Sequence, residues 1–184
     1  MAGVKSGAAA QRYAKAVFSI GVDSGDYERL GQEIEAVAAA MDQDEVLRDI
    51  LISPQHDLTV RRQMVTALAV KKGLNPTINN FLLLLVEKGR ASLLPEISRN
   101  YQKLSDEKAG RMKATVITAS KISESVLGEL KSSLEKSTGK KVFLTPQLDP
   151  TLVGGTVIKV GDIIYDGSIR TQLQLLKESI RKIA

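Results

Sequence analysis

The chain has 184 residues, 43% of them hydrophobic, and carries a net charge of +5 with an isoelectric point near 9.4. That length accommodates one large domain or two small ones. The lack of cysteine excludes disulfides and thiolate metal sites, while the basic balance permits an acidic protein, nucleic acid or an anionic surface and selects none of them.

The first ten residues, MAGVKSGAAA, have no apolar core of signal-peptide length. The longest apolar run is the six residues from Phe81 to Val86, far short of the ~20 that a membrane span needs. The expectation is a chain that stays in the compartment where it is made and meets a membrane only through partners. From Ala8 to Ile20, the residues Tyr13, Ala16, Val17 and Ile20 mark one face at helical spacing. Gly21 and Gly25 are expected to end this helix. A second helix places Tyr27, Leu30, Ile34, Val37 and Met41 inward. A third carries Val46, Leu47, Ile50 and Leu51, and stops before Pro54. A fourth, over 59–72, turns Val60, Met64, Ala67 and Leu68 inward and closes on Lys71-Lys72-Gly73, where cations meet the negative helix end.

Asn75-Pro76 predicts a cap and a first-turn proline for a fifth helix. Ile78 and Phe81 to Val86 make it apolar in nearly every direction, the mark of a central helix. A sixth follows Gly89-Arg90, with Leu94, Ile97, Tyr101 and Leu104 inward. Near Gly110 the period changes from 3.6 to 2. A strand over 112–119, a helix over 123–139 capped by Ser123 with Val126, Leu127, Leu130 and Leu134 inward, and a strand over 142–144 follow. The run DPTLVGGTVIKVGDIIYDGSIR comes next. Asp149-Pro150 is a turn, Gly154-Gly155 a bulge or close backbone approach within a strand, and Gly161-Asp162 a hairpin turn. Asp166-Gly167-Ser168 ends the return strand and caps a last helix whose core face is Leu173, Leu176, Ile180 and Ile183. The fold class is therefore α+β in two domains: a six-helix bundle over 1–105 and a small mixed α/β domain over 106–184.

Catalytic constellations are missing from this order. The phosphate-loop pattern fails at Gly139-Lys140, because Leu134 stands where the first glycine belongs and Lys141 where a hydroxyl belongs. Gly154-Gly155 precedes a strand rather than a helix N-terminus, which removes a dinucleotide reading. The one histidine, His56, lies in a loop, and zinc needs three or four ligands. Asp149, Asp162 and Asp166 sit at turns, where aspartate bonds its own backbone. No metal, cofactor or small-molecule site is expected. Basic pairs are scattered, and aromatics make up only 4%, so a nucleic-acid-binding regulator with a helical N-terminal domain is the lesser alternative.

The 149–170 run resembles the C-terminal signature of the delta subunit of F-type ATP synthases, called OSCP in mitochondria. Asp149-Pro150, Leu152, Gly154-Gly155, Ile158-Lys159-Val160, Gly161-Asp162 and Asp166-Gly167-Ser168 carry it, with Arg170 and Leu173. RYAKAVF at 12–18 resembles the family's first-helix motif, and NFLLLLVEKGR at 80–90 its fifth, followed by Ile97 and Tyr101. Gly21 and Val22 depart from the alanine-and-charge pattern usual after the first motif. The resemblance implies a non-catalytic stator subunit on the cytoplasmic face of an energy-transducing membrane, a bacterial inner membrane by expectation. It implies that the helical domain grips N-terminal helices of alpha subunits of the catalytic head, and that the second domain holds b subunits of the peripheral stalk. Tyr13, Ala16, Val17, Phe81 and Leu84 would then contact the head. Leu175, Lys177 and Arg181 would contact the stalk.

Overall fold

The computed structural model describes residues 2–161, 163–174 and 177. The chain divides into two compact units, 1–105 and 106–184. In the first, helices α1 (Ala2–Ser24), α2 (Tyr27–Gln43), α3 (Glu45–Ile52), α4 (Leu58–Lys72) and α5 (Pro76–Glu87) follow one another. A 3-10 turn at Ala91–Leu93 then leads into α6 (Leu94–Lys108). Their inward faces form one hydrophobic cluster, in which Ile34, Val37, Ile78, Ile97 and Tyr101 have no exposed surface.

Helix α1 does not end at Gly21. It runs to Ser24 and stops at Gly25, whose φ of 77° suits a residue without Cβ. Gly21 instead makes room for a neighbour. A Cβ there would lie 2.8 Å from the Tyr101 hydroxyl, and one at Gly31 on α2 would lie 2.9 Å from the Tyr101 ring. Tyr101 fills the space left by both glycines. Its hydroxyl donates to the Tyr27 carbonyl at 2.8 Å, and the Phe18 ring meets it edge-on at 5.5 Å. Burial pushes its hydroxyl from 10.0 up to about 12. A proton held more tightly in the fold stabilises it below the unfolded pKa, and that stability is lost as pH rises through the folded one. Tyr101→Phe should therefore cost roughly 1 kcal/mol at neutral pH. The gap between the two melts should close as pH rises from 10 to 12. A gap that stays constant across that range would show that folding does not raise the Tyr101 pKa.

Helix α4 is rotated from the expected face. Val60 and Ala67 are exposed, and Arg61, Val65, Leu68 and Ala69 point inward. The reason is polar: Arg61 Nη2 donates to the Leu51 carbonyl at 2.8 Å, satisfying an orphan acceptor at the end of α3. Val46 on α3 likewise lies outside, at 68% exposure. Helix α5 is capped as expected, the Asn75 side chain accepting from the Thr77 N–H at 2.9 Å, and Glu33 on α2 accepts the Asn75 N–H at 2.7 Å. It is not apolar all round in effect. Ile78, Phe81, Leu82, Leu85 and Val86 are buried, whereas Leu84 is 40% exposed.

The second unit holds a four-stranded sheet in the order β2-β1-β3-β4. Strand β1 (Arg111–Thr118) pairs in parallel with β2 (Lys141–Leu148), and α7 (Glu124–Thr138) makes the crossover between them. Strand β3 (Thr156–Val160) lies antiparallel to β1, and β4 (Ile163–Asp166) antiparallel to β3. Strand β2 is longer than predicted and contains Pro146, which an edge strand tolerates. On α7, Leu127, Leu130 and Leu134 are half-buried and Val126 is exposed. Ser123 is at the capping position, but its hydroxyl pairs with Ser125 Oγ at 3.0 Å and makes no cap bond. Residues 169–174 are helical, and Leu173, placed on the core face by its spacing, is 59% exposed. Leu176, Ile180, Ile183 and the Asp162 of the hairpin turn lie outside the described residues.

Candidate partner-binding surfaces

Two stripes on the first unit meet at Tyr13. On α1, Ala9, Tyr13, Ala16 and Ile20 recur at steps of four, three and four. On α5, Thr77, Phe81, Leu84 and Lys88 recur at the same steps. The stripes meet where the Tyr13 and Phe81 rings stand 6.2 Å apart, tilted by 56°. Each stripe borders the buried face of its helix. Ala10, Ala14 and Val17 face the core from α1, and Ile78, Leu82 and Leu85 from α5. Along this seam Tyr13 is half-buried and Phe81 buried, while Ala16, Ile20 and Leu84 are exposed.

The five residues predicted for this surface divide. Ala16 and Leu84 are exposed, and Tyr13 is half-buried. Val17 and Phe81 are core residues, 4% and 6% exposed. Their side chains face the core in the free chain, where the expectation gave them to a partner contact. The spacing that joined Val17 to Ala16 could not separate the groove stripe from the core stripe, because the two run next to each other on α1. Ile20, which shares a face with Tyr13 and Ala16 by its spacing, is 49% exposed and extends that stripe by one turn. Arg90 was not singled out as a contact. It lies just past α5, its Nη1 donates to the Tyr13 hydroxyl at 2.9 Å, and its guanidinium carbon stands 5.5 Å from the Tyr13 ring centre. No sequence pattern pairs residues 77 positions apart.

On the second unit, Lys177 is exposed, and Leu175 and Arg181 lie outside the described residues. The signature residues come together as a knot of backbone. Gly155 has φ 86°, and a Cβ there would sit 2.8 Å from Ser168 Cα. The Ile169 N–H donates to the Gly154 carbonyl at 3.1 Å, and the Gly167 N–H to the Thr156 carbonyl at 3.0 Å. The glycine pair is thus a close approach, as one of the two readings held. It is a bend just before β3 and not a bulge within it.

Asp166 Oδ1 accepts the Ser168 N–H at 2.8 Å and its Oδ2 accepts the Thr171 hydroxyl at 2.8 Å, while Ser168 Oγ accepts the Thr171 N–H at 3.3 Å. Ser168 is therefore the cap of the last helical stretch. The Ser168 backbone N–H, then the Ser168 and Thr171 hydroxyls, hold the Asp166 carboxyl below its ordinary range. Asp149 is lowered in the same way, first by the Thr151 hydroxyl and then by its N–H. Asp149 and Pro150 form the turn that starts this segment, and Arg170 Nη2 ties it back by donating to the Thr151 carbonyl at 3.3 Å. Gly161 turns the hairpin with φ 58°. These aspartates bond turns and helix starts, and no cluster of potential metal ligands occurs among the described residues. The exposed apolar side chains nearby include Val153, Ile163, Ile164 and Tyr165, the last three on the edge strand β4, with Ile169 and Leu173 beyond.

The sequence profile of the ATP synthase delta (OSCP) subunit family matches residues 9–180. The chain is 44% identical to the ATP synthase subunit delta of Desulfotalea psychrophila over 172 residues, covering 94% of this chain and 95% of that one. It is 36% identical to the ATP synthase subunit delta of Geobacter sp. strain M21 over 179 residues, covering 97% and 99%. Its fold is similar to a chain in the cryo-EM structure of the Toxoplasma gondii mitochondrial ATP synthase hexamer, with a TM-score of 0.74 over 93% of this chain and 96% of that one, at 19% identity. The chain belongs to the ATP synthase delta (OSCP) subunit family, and it is a structural subunit of that assembly. Among the described residues no helix is long and apolar enough to cross a membrane.

Proposed function

We propose that this protein is the non-catalytic clamp of the ATP synthase stator, joining the alpha-subunit N-terminal helices of the catalytic head to the b subunits of the peripheral stalk. The observation that carries this reading is a family match that runs through both units, 9–180. Proton flow turns a central rotor, and the head must be kept from turning with it. A clamp for that torque needs two durable interfaces and no reactive groups.

The first unit takes the head. Tyr13, Ala16, Ile20 and Leu84 form the contact, with Val17 and Phe81 supporting it from the core. Ala16 is small and exposed, so a partner helix can approach α1 closely. The 1–105 unit thereby acts as the head-binding part and 106–184 as the stalk-binding part. On the second unit, the exposed Ile163, Tyr165 and Leu173 are the apolar surface available to a stalk helix, with Lys177, Leu175 and Arg181 proposed beyond them. The site of action is the cytoplasmic face of a bacterial inner membrane. The nucleic-acid alternative gains no support from the relatives.

The test is reconstitution. Membranes and catalytic heads stripped of their delta subunit should recover ATP-driven proton pumping when this protein is added, and the protein alone should hydrolyse no ATP. Failure to restore coupling while the heads remain unbound would overturn the reading.

A further inference from the structure

The groove carries an uneven distribution of charge. Arg12 and Lys88 are exposed beside the two stripes, and Arg90 joins them at Tyr13. The acids of the same elements are accounted for differently. Glu87 is held by Arg62 of α4, and Asp23 lies at the far end of α1, one turn past Ile20. Glu96 lies against Gly7, before the groove stripe begins. Arg90 itself has no carboxylate within ion-pairing distance among the described residues. Its recorded partners are the Tyr13 hydroxyl and the Tyr13 ring.

The Tyr13 hydroxyl accepts from one Nη at 2.9 Å, and the guanidinium carbon stands 5.5 Å from the ring centre. One Nη is occupied by Tyr13, and the remaining N–H groups stay available in a rigid fork. A cation held in this way loses little conformational entropy when a carboxylate arrives, and an Arg-carboxylate pair can form two parallel bonds. The ring that orients it belongs to the groove stripe, so the carboxylate must come from whatever lies in the groove.

We infer that Arg90 is the specificity-determining residue of the groove: it receives a carboxylate from an acidic amphipathic helix and so fixes that helix's register. The inference rests on the groove reading above and adds to it the chemistry of the partner. Apolar contacts along Ala16, Ile20 and Leu84 tolerate sliding by a turn or reversal of direction, because one aliphatic stripe resembles another. A single directed charge pair does not. Asp23 at the opposite end of α1 favours a basic residue on the partner there, which gives the bound helix a polarity from acid at Tyr13 to base at Asp23.

The experiment uses the full chain and a synthetic peptide covering the N-terminal helix of the alpha subunit encoded in the same genome, with affinity measured by calorimetry at low and high salt. Arg90→Gln should weaken binding at least about tenfold at low salt and flatten the salt dependence, with the melt unchanged. Each peptide carboxylate is then changed in turn to lysine. One such peptide should bind Arg90→Glu more tightly than it binds the parent protein. Tyr13→Phe, which keeps the ring and removes the hydroxyl, should give a smaller loss than Arg90→Gln. If Arg90→Gln also lowers the melt, the charge-swapped pair still decides, since a purely structural role cannot be rescued by the peptide. Parent-level affinity and salt dependence in Arg90→Gln, or no rescuing peptide, would overturn the inference. The groove would survive that result if Ala16→Arg still abolished binding, and both ideas would fall if neither substitution had any effect.

Discussion

Ala16→Arg should leave the melt of the protein unchanged and remove its affinity for the alpha-subunit N-terminal helix. The substitution site is exposed on α1, next to but not within the core formed by Ala10, Ala14 and Val17. In the free chain, the arginine extends into water at little cost, and α1 loses no buried contact. In the proposed complex, the same side chain would stand where the partner backbone approaches. Seating the partner would then either bury an unpaired cation or hold the two helices apart. A single truncation or intrusion at the centre of such a contact can remove roughly 2–4 kcal/mol of binding, a factor of about 30 to 1,000. Calorimetry against the peptide reads the affinity, and circular dichroism reads the melt. Val17→Arg is the contrasting variant: at 4% exposure it should lower the melt first. Unchanged affinity together with an unchanged melt in Ala16→Arg would place the partner on another face.

Gly155→Val should destabilise the second unit and leave the first intact. Two costs combine. A β-branched residue is forced to φ 86°, and its Cβ would press on the Gly167 carbonyl and on Ser168 Cα. Backbone strain of this kind costs about 1–3 kcal/mol, and overpacking a further 1–3 kcal/mol or so. The sum is a large part of what a small domain has. Gly161→Ala is the control, since its φ is 58° but nothing lies within 4 Å of the added Cβ. It should show the conformational cost alone. In the full chain, Gly155→Val should keep affinity for the alpha-subunit peptide and lose affinity for b-subunit helices. A wild-type melt for Gly155→Val would mean that the approach of 154–155 to 167–168 carries no energetic weight.

The sequence by itself determined the elements whose signals are local. Capping by Asn75, the stop at Gly73, the change of period near Gly110 and the turn chemistry of Asp149 and Asp166 all act between residues a few positions apart. Each has a residue type that does the work without help from elsewhere. The family motifs, which are ordered along the chain, were legible for the same reason.

Tertiary structure alone decided which face of a helix is which. Gly21 reads as a stop, but Tyr101 fills the space it leaves, so α1 continues past it to Gly25. Val60 reads as core, but Arg61 turns inward to satisfy a carbonyl ten residues away. Val17 and Ala16 read as one surface, but the core lies against only one of them. Arg90 could be found only once the fold had brought it onto Tyr13. In every case the deciding interaction joins residues distant in the chain, and the pattern of apolar residues along one helix contains no information about what the fold will place beside it.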